Sequence, residues 1–285
     1  MSYRSTTLRA GGPALLTARF RTLTMIGLTV ATIVAMALVP RIQQDEAYHH
    51  FADQRSLLGI ANFMNVASNL PFLLTGIAGL LFVNRKSSLA SDTFLHRFER
   101  WPYIVFFFGV MLTCFGSAYY HLSPNTERLM WDRLPMSIAF MSLLAAVITE
   151  RINLRAGVVL LAPLVIIGVS SVIYWHLGEQ RGNGDLRPYI LVQFYSLVAI
   201  VLTAIMFPSR YTKGGALLVT CGVYALAKVI ELLDVQILSI GGIVSGHSIK
   251  HIVAAIAVYW VLRMLKQRTP AANAGLARGE SVVSS

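Results

Sequence analysis

The chain has 285 residues, of which 55% are hydrophobic and only 13% are charged, with a mean hydropathy of +0.62. A soluble domain carries roughly 25% charged residues, so this composition excludes an ordinary water-covered fold and requires lipid over much of the surface. The formal net charge of +11 does not indicate a nucleic-acid partner, because the Lys and Arg residues lie in short runs between apolar stretches rather than along one soluble face.

A membrane-spanning helix needs about 20 mostly apolar residues. Eight stretches qualify: 22–39, 59–83, 103–122, 133–149, 157–175, 189–207, 215–233 and 248–265. The expected fold class is therefore all-α, a polytopic transmembrane helix bundle with short loops. The two cysteines, Cys114 and Cys221, both fall inside apolar runs, so neither a disulfide framework nor a cysteine-rich zinc site is expected.

The loops alternate in charge. With the N-terminus inside, the inner segments hold Arg19 and Arg21, Arg85 and Lys86, Arg97 and Arg100, Arg151 and Arg155, Arg210 and Lys213, and Arg263, Lys266 and Arg268. The outer segments hold far fewer, so the charge asymmetry predicts that both termini are cytoplasmic. The expected organisation is a cytoplasmic segment at 1–21, an N-terminal helix at 22–40, a seven-helix domain at 41–268 and a disordered cytoplasmic tail at 269–285, which is rich in Ala, Gly and Ser. The first apolar run has two readings. Ala35, Met36 and Ala37 resemble a signal-peptidase site, whereas the length of the run favours retention as a span. Either reading leaves the orientation unchanged.

Ionisable groups inside spans are costly and mark functional candidates. In GSAYYHLSPNTERLMWDRLPM, 116–136, Ser117 and His121 stand four residues apart at the outer end of the third span, and so share one helix face. Asp132 follows after a short loop at the outer start of the fourth span. In SGHSIKHI, 245–252, His247 and His251 repeat the four-residue spacing at the outer start of the last span. Two histidines so spaced can hold one metal from one helix face; a solvated interfacial pair is the plainer reading. Three histidines with a position left for water form a catalytic zinc arrangement, and the arrival of His121, Ser117 and Asp132 at the same depth favours the metal.

Elsewhere, Lys228 and Glu231 are three apart and can pair on one helix face. They and Asp234 either line a cavity or lock helices together. A proton or ion relay through these three is disfavoured, because the halves of the chain show no inverted repeat. Asn62, Asn65 and Asn69 read as interhelical hydrogen-bonding groups, with a kink expected near Asn69 and Pro71. The loop pairs Asp53 with Arg55 and Asp185 with Arg187 read as local ion pairs, the first pinning its loop over the site. His49, His50, His96 and His176 read as solvated loop residues.

Ser117, His121 and Asp132, closed by His247 and His251, resemble the pattern of the alkaline ceramidases and of the wider superfamily that includes adiponectin-type receptors and Per1-like proteins. GIANFMNVASNLPFLLTG, 59–76, resembles the family's first core helix. GDLRPYILVQF, 184–194, and VSGHSIKHIVAA, 244–255, look like bacterial members. The resemblance covers about 45–265 and implies a seven-helix core, to which 22–39 is an addition. It implies Zn2+ on His121, His247 and His251, with Asp132 as the base acting on water and Ser117 beside the metal at the substrate carbonyl. The implied activity is hydrolysis of the amide bond of ceramide or a related N-acyl lipid, with the site on the periplasmic side of a bacterial inner membrane. A receptor or signalling protein of the same superfamily is the alternative. Animal members carry an acidic calcium site before the first core helix. Here Asn62 stands where their glutamate would be, and Asp45, Glu46 and Asp53 do not match the spacing, so calcium is not expected.

Overall fold

The structure, a computed structural model, describes residues 13–85 and 93–271. The expected disordered tail lies outside the described residues from 272 onward, as do the first twelve residues of the expected cytoplasmic segment.

The described residues form an all-helical membrane protein with only two isolated β-bridges, Leu57 with Ile60 and Tyr211 with Pro270. The long helices are α1 (Pro13–Leu38), α2 (Phe63–Asn84), α3 (Arg100–Leu122), α4 (Thr126–Arg151), α5 (Leu154–Glu179), α6 (Arg187–Met206), α7 (Ala216–Leu232) and α9 (Gly246–Gln267), with the short α8 (Asp234–Gly241) between the last two. Seven are long and apolar enough to cross a membrane, and an eighth span results if α7 and α8 count together. Apolar side chains such as Val159, Ile166 and Ile205 face outward from the bundle, as a lipid environment allows and water does not.

Two expected spans are interrupted. The stretch 59–83 becomes a helix only at Phe63, because Leu58, Gly59 and Asn62 take left-handed backbone conformations that form a turn. It breaks again around Asn69, just before Pro71, whose ring admits no amide donor. The stretch 215–233 ends at Leu232, where the chain bends by 73° into α8. The Asp234 carboxylate then accepts from the backbone amides of Ala52 (2.9 Å) and His247 (2.7 Å). Asp234 therefore caps α9 and holds the 45–62 loop, rather than lining a cavity.

α1 leans on α6 and is buried along little of its length. Thr29 Oγ1 meets Tyr195 Oη at 2.6 Å, and Arg187 donates to the carbonyls of Ala37 and Val39 at the end of α1. Those carbonyls have no partner within their own helix, and Arg187 supplies one while pairing with Asp185 at 2.7 Å. The Arg187 guanidinium beside Asp185 also holds that carboxyl below the usual range.

At the end of the bundle opposite the histidines, the buried carboxylate of Glu150 accepts from Tyr103 Oη (2.9 Å) and from Arg268. The Arg268 guanidinium stacks on Tyr211 at 4.0 Å and donates to the carbonyl of Thr93, while Tyr211 donates to Glu99. This cluster ties α3, α4, α9 and the 207–215 link together. Removing one partner of a buried pair strands the other charge. Arg268→Met is expected to cost about 3 kcal/mol of stability, seen as a lowered thermal midpoint of the detergent-solubilised protein. The double replacement Glu150→Leu with Arg268→Met is expected to recover part of that loss.

Candidate metal centre

α3 and α4 form a tight antiparallel hairpin. Asn125 caps α4 by accepting from the Arg128 amide at 2.8 Å. Pro135, inside α4, removes the amide that would bond the carbonyl four residues earlier, which is that of Trp131. That carbonyl faces Gly116 of α3, where any added Cβ would run into it. The close approach places the next residues, Ser117 and Asp132, side by side on facing helices, where both line one cavity. Both side chains are buried. The Asp132 position is also clearer than expected, since α4 begins at Thr126 and not at 133.

α9 opens with Ser245 as its cap, accepting from the Ser248 amide at 3.2 Å. Gly246 lies against the Ile230 carbonyl, so the first turn of α9 sits directly on α7. His247 and His251 then face His121 across the bundle. The three ring centroids are 4.9–5.0 Å apart, and one ligand nitrogen from each lies within 4.8 Å of the other two. The side chains are 1–5% exposed. His247 Nε2 faces His121 Nε2 at 3.4 Å, and His121 Nδ1 is buried without a hydrogen-bond partner.

The third imidazole is oriented by an outer contact. Ser68 donates to the Asn65 carbonyl at 3.1 Å and meets His251 Nδ1 at 2.8 Å. With the Ser68 proton so used, His251 Nδ1 is the donor, and its Nε2 keeps the lone pair. This is the tautomer a metal needs. Asn65 itself bonds Ser248 (2.8 Å) and the Asp53 carbonyl (2.9 Å), so α2, α9 and the loop lock together behind His251. Asn62 reaches the carbonyl of His121 at 2.9 Å. Of the three asparagines, Asn62 and Asn65 bridge elements, while Asn69 bonds back to its own helix.

The 45–62 loop covers the cluster. Phe51 packs its ring at 4.3 Å from His247 and 4.7 Å from His121. Arg55 pairs with Asp53 at 2.7 Å and donates to the carbonyls of Gly242 and Ile243, pinning the loop over the site. The Arg55 hydrogen bonds hold the Asp53 carboxyl below the usual range. His49 is not solvated, contrary to expectation. It bonds Tyr120 Oη and Thr126 Oγ1, and burial pushes its imidazole below the usual range against the pull of Glu46. His176 lies within α5 rather than in a loop.

Beside the histidines is a cavity of about 640 Å³. Its polar end is lined by Ser117, Asp132, His251, Lys228, Lys250 and Arg133, and its deeper walls by Phe106, Val110, Leu143, Leu197 and Val258. Lys228 and Lys250 both donate to Glu231, which lies 3.9 Å from His247 Nδ1. The pair expected from spacing is thus a triad that also ties α7 to α9. Phe51, Ser68 and Arg133 were not marked as site residues by sequence reasoning. An arginine at the start of an apolar span was a readable signal for Arg133; for the other two, no local pattern existed.

The Ceramidase family matches residues 56–273, and the chain belongs to that family. No curated protein matches it. The matched stretch holds every histidine of the cluster, Ser117 and Asp132, and leaves out α1 and Phe51.

Replacing any of His121, His247 or His251 by Ala is expected to abolish metal retention by the purified protein, measured by elemental analysis. Ser68→Ala is expected to weaken metal affinity by about 10- to 100-fold, measured by competition with a chelator of known strength.

Proposed function

We propose that this member of the Ceramidase family is a zinc-dependent hydrolase of ceramide or a related N-acyl lipid, releasing a fatty acid and a long-chain amine. The observation that carries the reading is the joining of a buried three-histidine cluster and a Ser–Asp pair to one cavity that is polar beside the metal site and apolar below. Imidazole suits zinc. Two nitrogens bound at about 2.0–2.1 Å to one tetrahedral ion stand roughly 3.3–3.4 Å apart, which the 3.4 Å separation of His121 and His247 meets.

Zinc on His121, His247 and His251 would supply Lewis acidity and a water acidic enough to attack at neutral pH. The chain's own residues do the rest. The apolar walls take the acyl chain and bring the amide carbonyl to the polar end. Asp132 accepts the proton of the attacking water and passes it to the departing amine nitrogen, so one carboxylate serves as base and then as acid. Ser117, beside Asp132 on the cavity wall, is placed to turn its hydroxyl to the carbonyl oxygen as negative charge develops there. Phe51 shields the far side of His121 and His247 from bulk water, which strengthens each of these electrostatic contacts.

The charge asymmetry of the loops supports an orientation with both termini in the cytoplasm and the histidine end toward the outer face. The resemblance of 184–194 and 244–255 to bacterial members supports reading that face as the periplasmic face of an inner membrane.

Asp132→Asn is expected to lower the turnover of a fluorescent ceramide by about 10²–10⁴-fold while zinc content stays stoichiometric. Ser117→Ala is expected to cost about 10²-fold. Stoichiometric zinc with no turnover of any N-acyl lipid by the wild type would replace this reading with that of a receptor.

A further inference from the structure

Arg133 is the one cation of the cavity that no carboxylate pairs with among the described residues. It is 6% exposed. Its guanidinium lies 4.2 Å from the ring of Trp175, 4.9 Å from Tyr189 and 5.7 Å from Tyr48. Nη2 donates to Gln44 Oε1 at 2.7 Å, but Nη1 is buried with no hydrogen-bond partner. The Tyr189 hydroxyl, on a residue only 4% exposed, is also buried without a partner. Arg133, Tyr189 and Gln44 all line the cavity.

Burying a charge without a counter-charge is strongly unfavourable, and burying idle donors adds to the cost. Stacked rings offset part of it but satisfy no N–H or O–H. The carboxylates of the polar end are engaged elsewhere or make no ion pair with Arg133. Lys228 and Lys250 share the single carboxylate of Glu231, and Asp132 forms no ion pair with Arg133. The other carboxylate of the lining, Asp45, accepts from the Ala47 amide of its own loop and makes no ion pair with Arg133.

We infer that Arg133 and Tyr189 form a subsite for an anionic headgroup, phosphate or carboxylate, carried by the lipid amide whose carbonyl lies at Ser117 and Asp132. The inference rests on the proposed hydrolase reading for its amide and names the class of amide. A guanidinium held flat between aromatic rings presents fixed N–H donors to two oxygens of one anion. The Tyr189 hydroxyl adds a donor from the neighbouring wall. Arg133 follows Asp132 directly on α4, so the two side chains leave the helix about 100° apart. One lipid can therefore place its amide at Asp132 and its headgroup at Arg133, with the acyl chain in the apolar end.

The test uses the full chain in nanodiscs of uncharged lipid. Binding of hexadecyl phosphate, hexadecanol and inorganic phosphate is measured by calorimetry, and hydrolysis of a ceramide is compared with that of the same ceramide phosphorylated on its primary hydroxyl. Hexadecyl phosphate is expected to bind at least tenfold tighter than hexadecanol, and inorganic phosphate only weakly. Arg133→Met should erase the margin, Arg133→Lys should keep part of it, and Tyr189→Phe should reduce it with the fold intact. The phosphorylated ceramide should have the higher kcat/KM, and the ratio of the two substrates should fall at least tenfold in Arg133→Met. Equal binding of phosphate and alcohol, or a margin unchanged in Arg133→Met and Tyr189→Phe, overturns the subsite. Inorganic phosphate binding as tightly as hexadecyl phosphate assigns the donors to a free anion and overturns the headgroup. An Arg133-dependent margin with neither amide hydrolysed leaves the subsite standing and defeats the hydrolase reading; hydrolysis of the neutral ceramide with no margin does the reverse.

Discussion

Three imidazoles are buried against one another where α3 meets α9, and the architecture of that end of the bundle follows from keeping them there. Imidazole nitrogens removed from water need partners. The chain supplies Ser68 for one nitrogen of His251 and leaves the inward nitrogens facing each other. Asp234 then does two things at once. It caps the helix that carries His247 and His251, and it holds the Ala52 amide, one residue beyond the Phe51 ring that lies on His121 and His247. The 73° bend after α7 is what turns Asp234 toward both.

The two ends of the bundle use their charges differently. At the Glu150–Arg268 end, the central charges find partners of opposite sign and aromatic faces, and the result is a clamp. At the histidine end the polar groups are left incompletely matched: an unpartnered His121 nitrogen, an Arg133 nitrogen and a Tyr189 hydroxyl. Buried polar groups without partners are rare in folded proteins. Such atoms occur at both ends, with Glu99 Oε1 and Arg268 Nη2 among them at the clamp; at the histidine end two of them belong to Arg133 and Tyr189, which line the cavity.

The helical period made part of this legible. Ser117 and His121, and His247 and His251, stand four residues apart in the sequence, so their shared faces followed from geometry alone. The short 123–125 link returned Asp132 to their side. Composition revealed the membrane class for the same reason, since it needs no tertiary information. What stayed hidden depends on contacts between residues far apart in the chain. Ser68 meets His251, Ala52 meets Asp234, and Arg55 meets Gly242 across about 180 residues each. The break of the seventh span was masked because its apolar run continues through Leu232 and Leu233, and nothing local announced that Asp234 would turn back. His49 was misread because a histidine in a polar segment has no sequence mark of burial. Its partners Tyr120 and Thr126 belong to the α3–α4 hairpin.

Phe51 also decides the direction from which the cluster is reached. With its ring over His121 and His247, the loop side is closed, and of the three histidines only His251 lines the cavity. A reactant must therefore approach from the α4 and α7 side, past Asp132 on one wall and Lys228 and Lys250 on the other. Along that path Asp132 and Ser117 stand side by side on neighbouring helices. What enters the cavity therefore meets the cluster at the His251 ring, with Asp132 and Ser117 beside it. This order of approach is set by one aromatic residue on a loop that precedes the family's matched stretch.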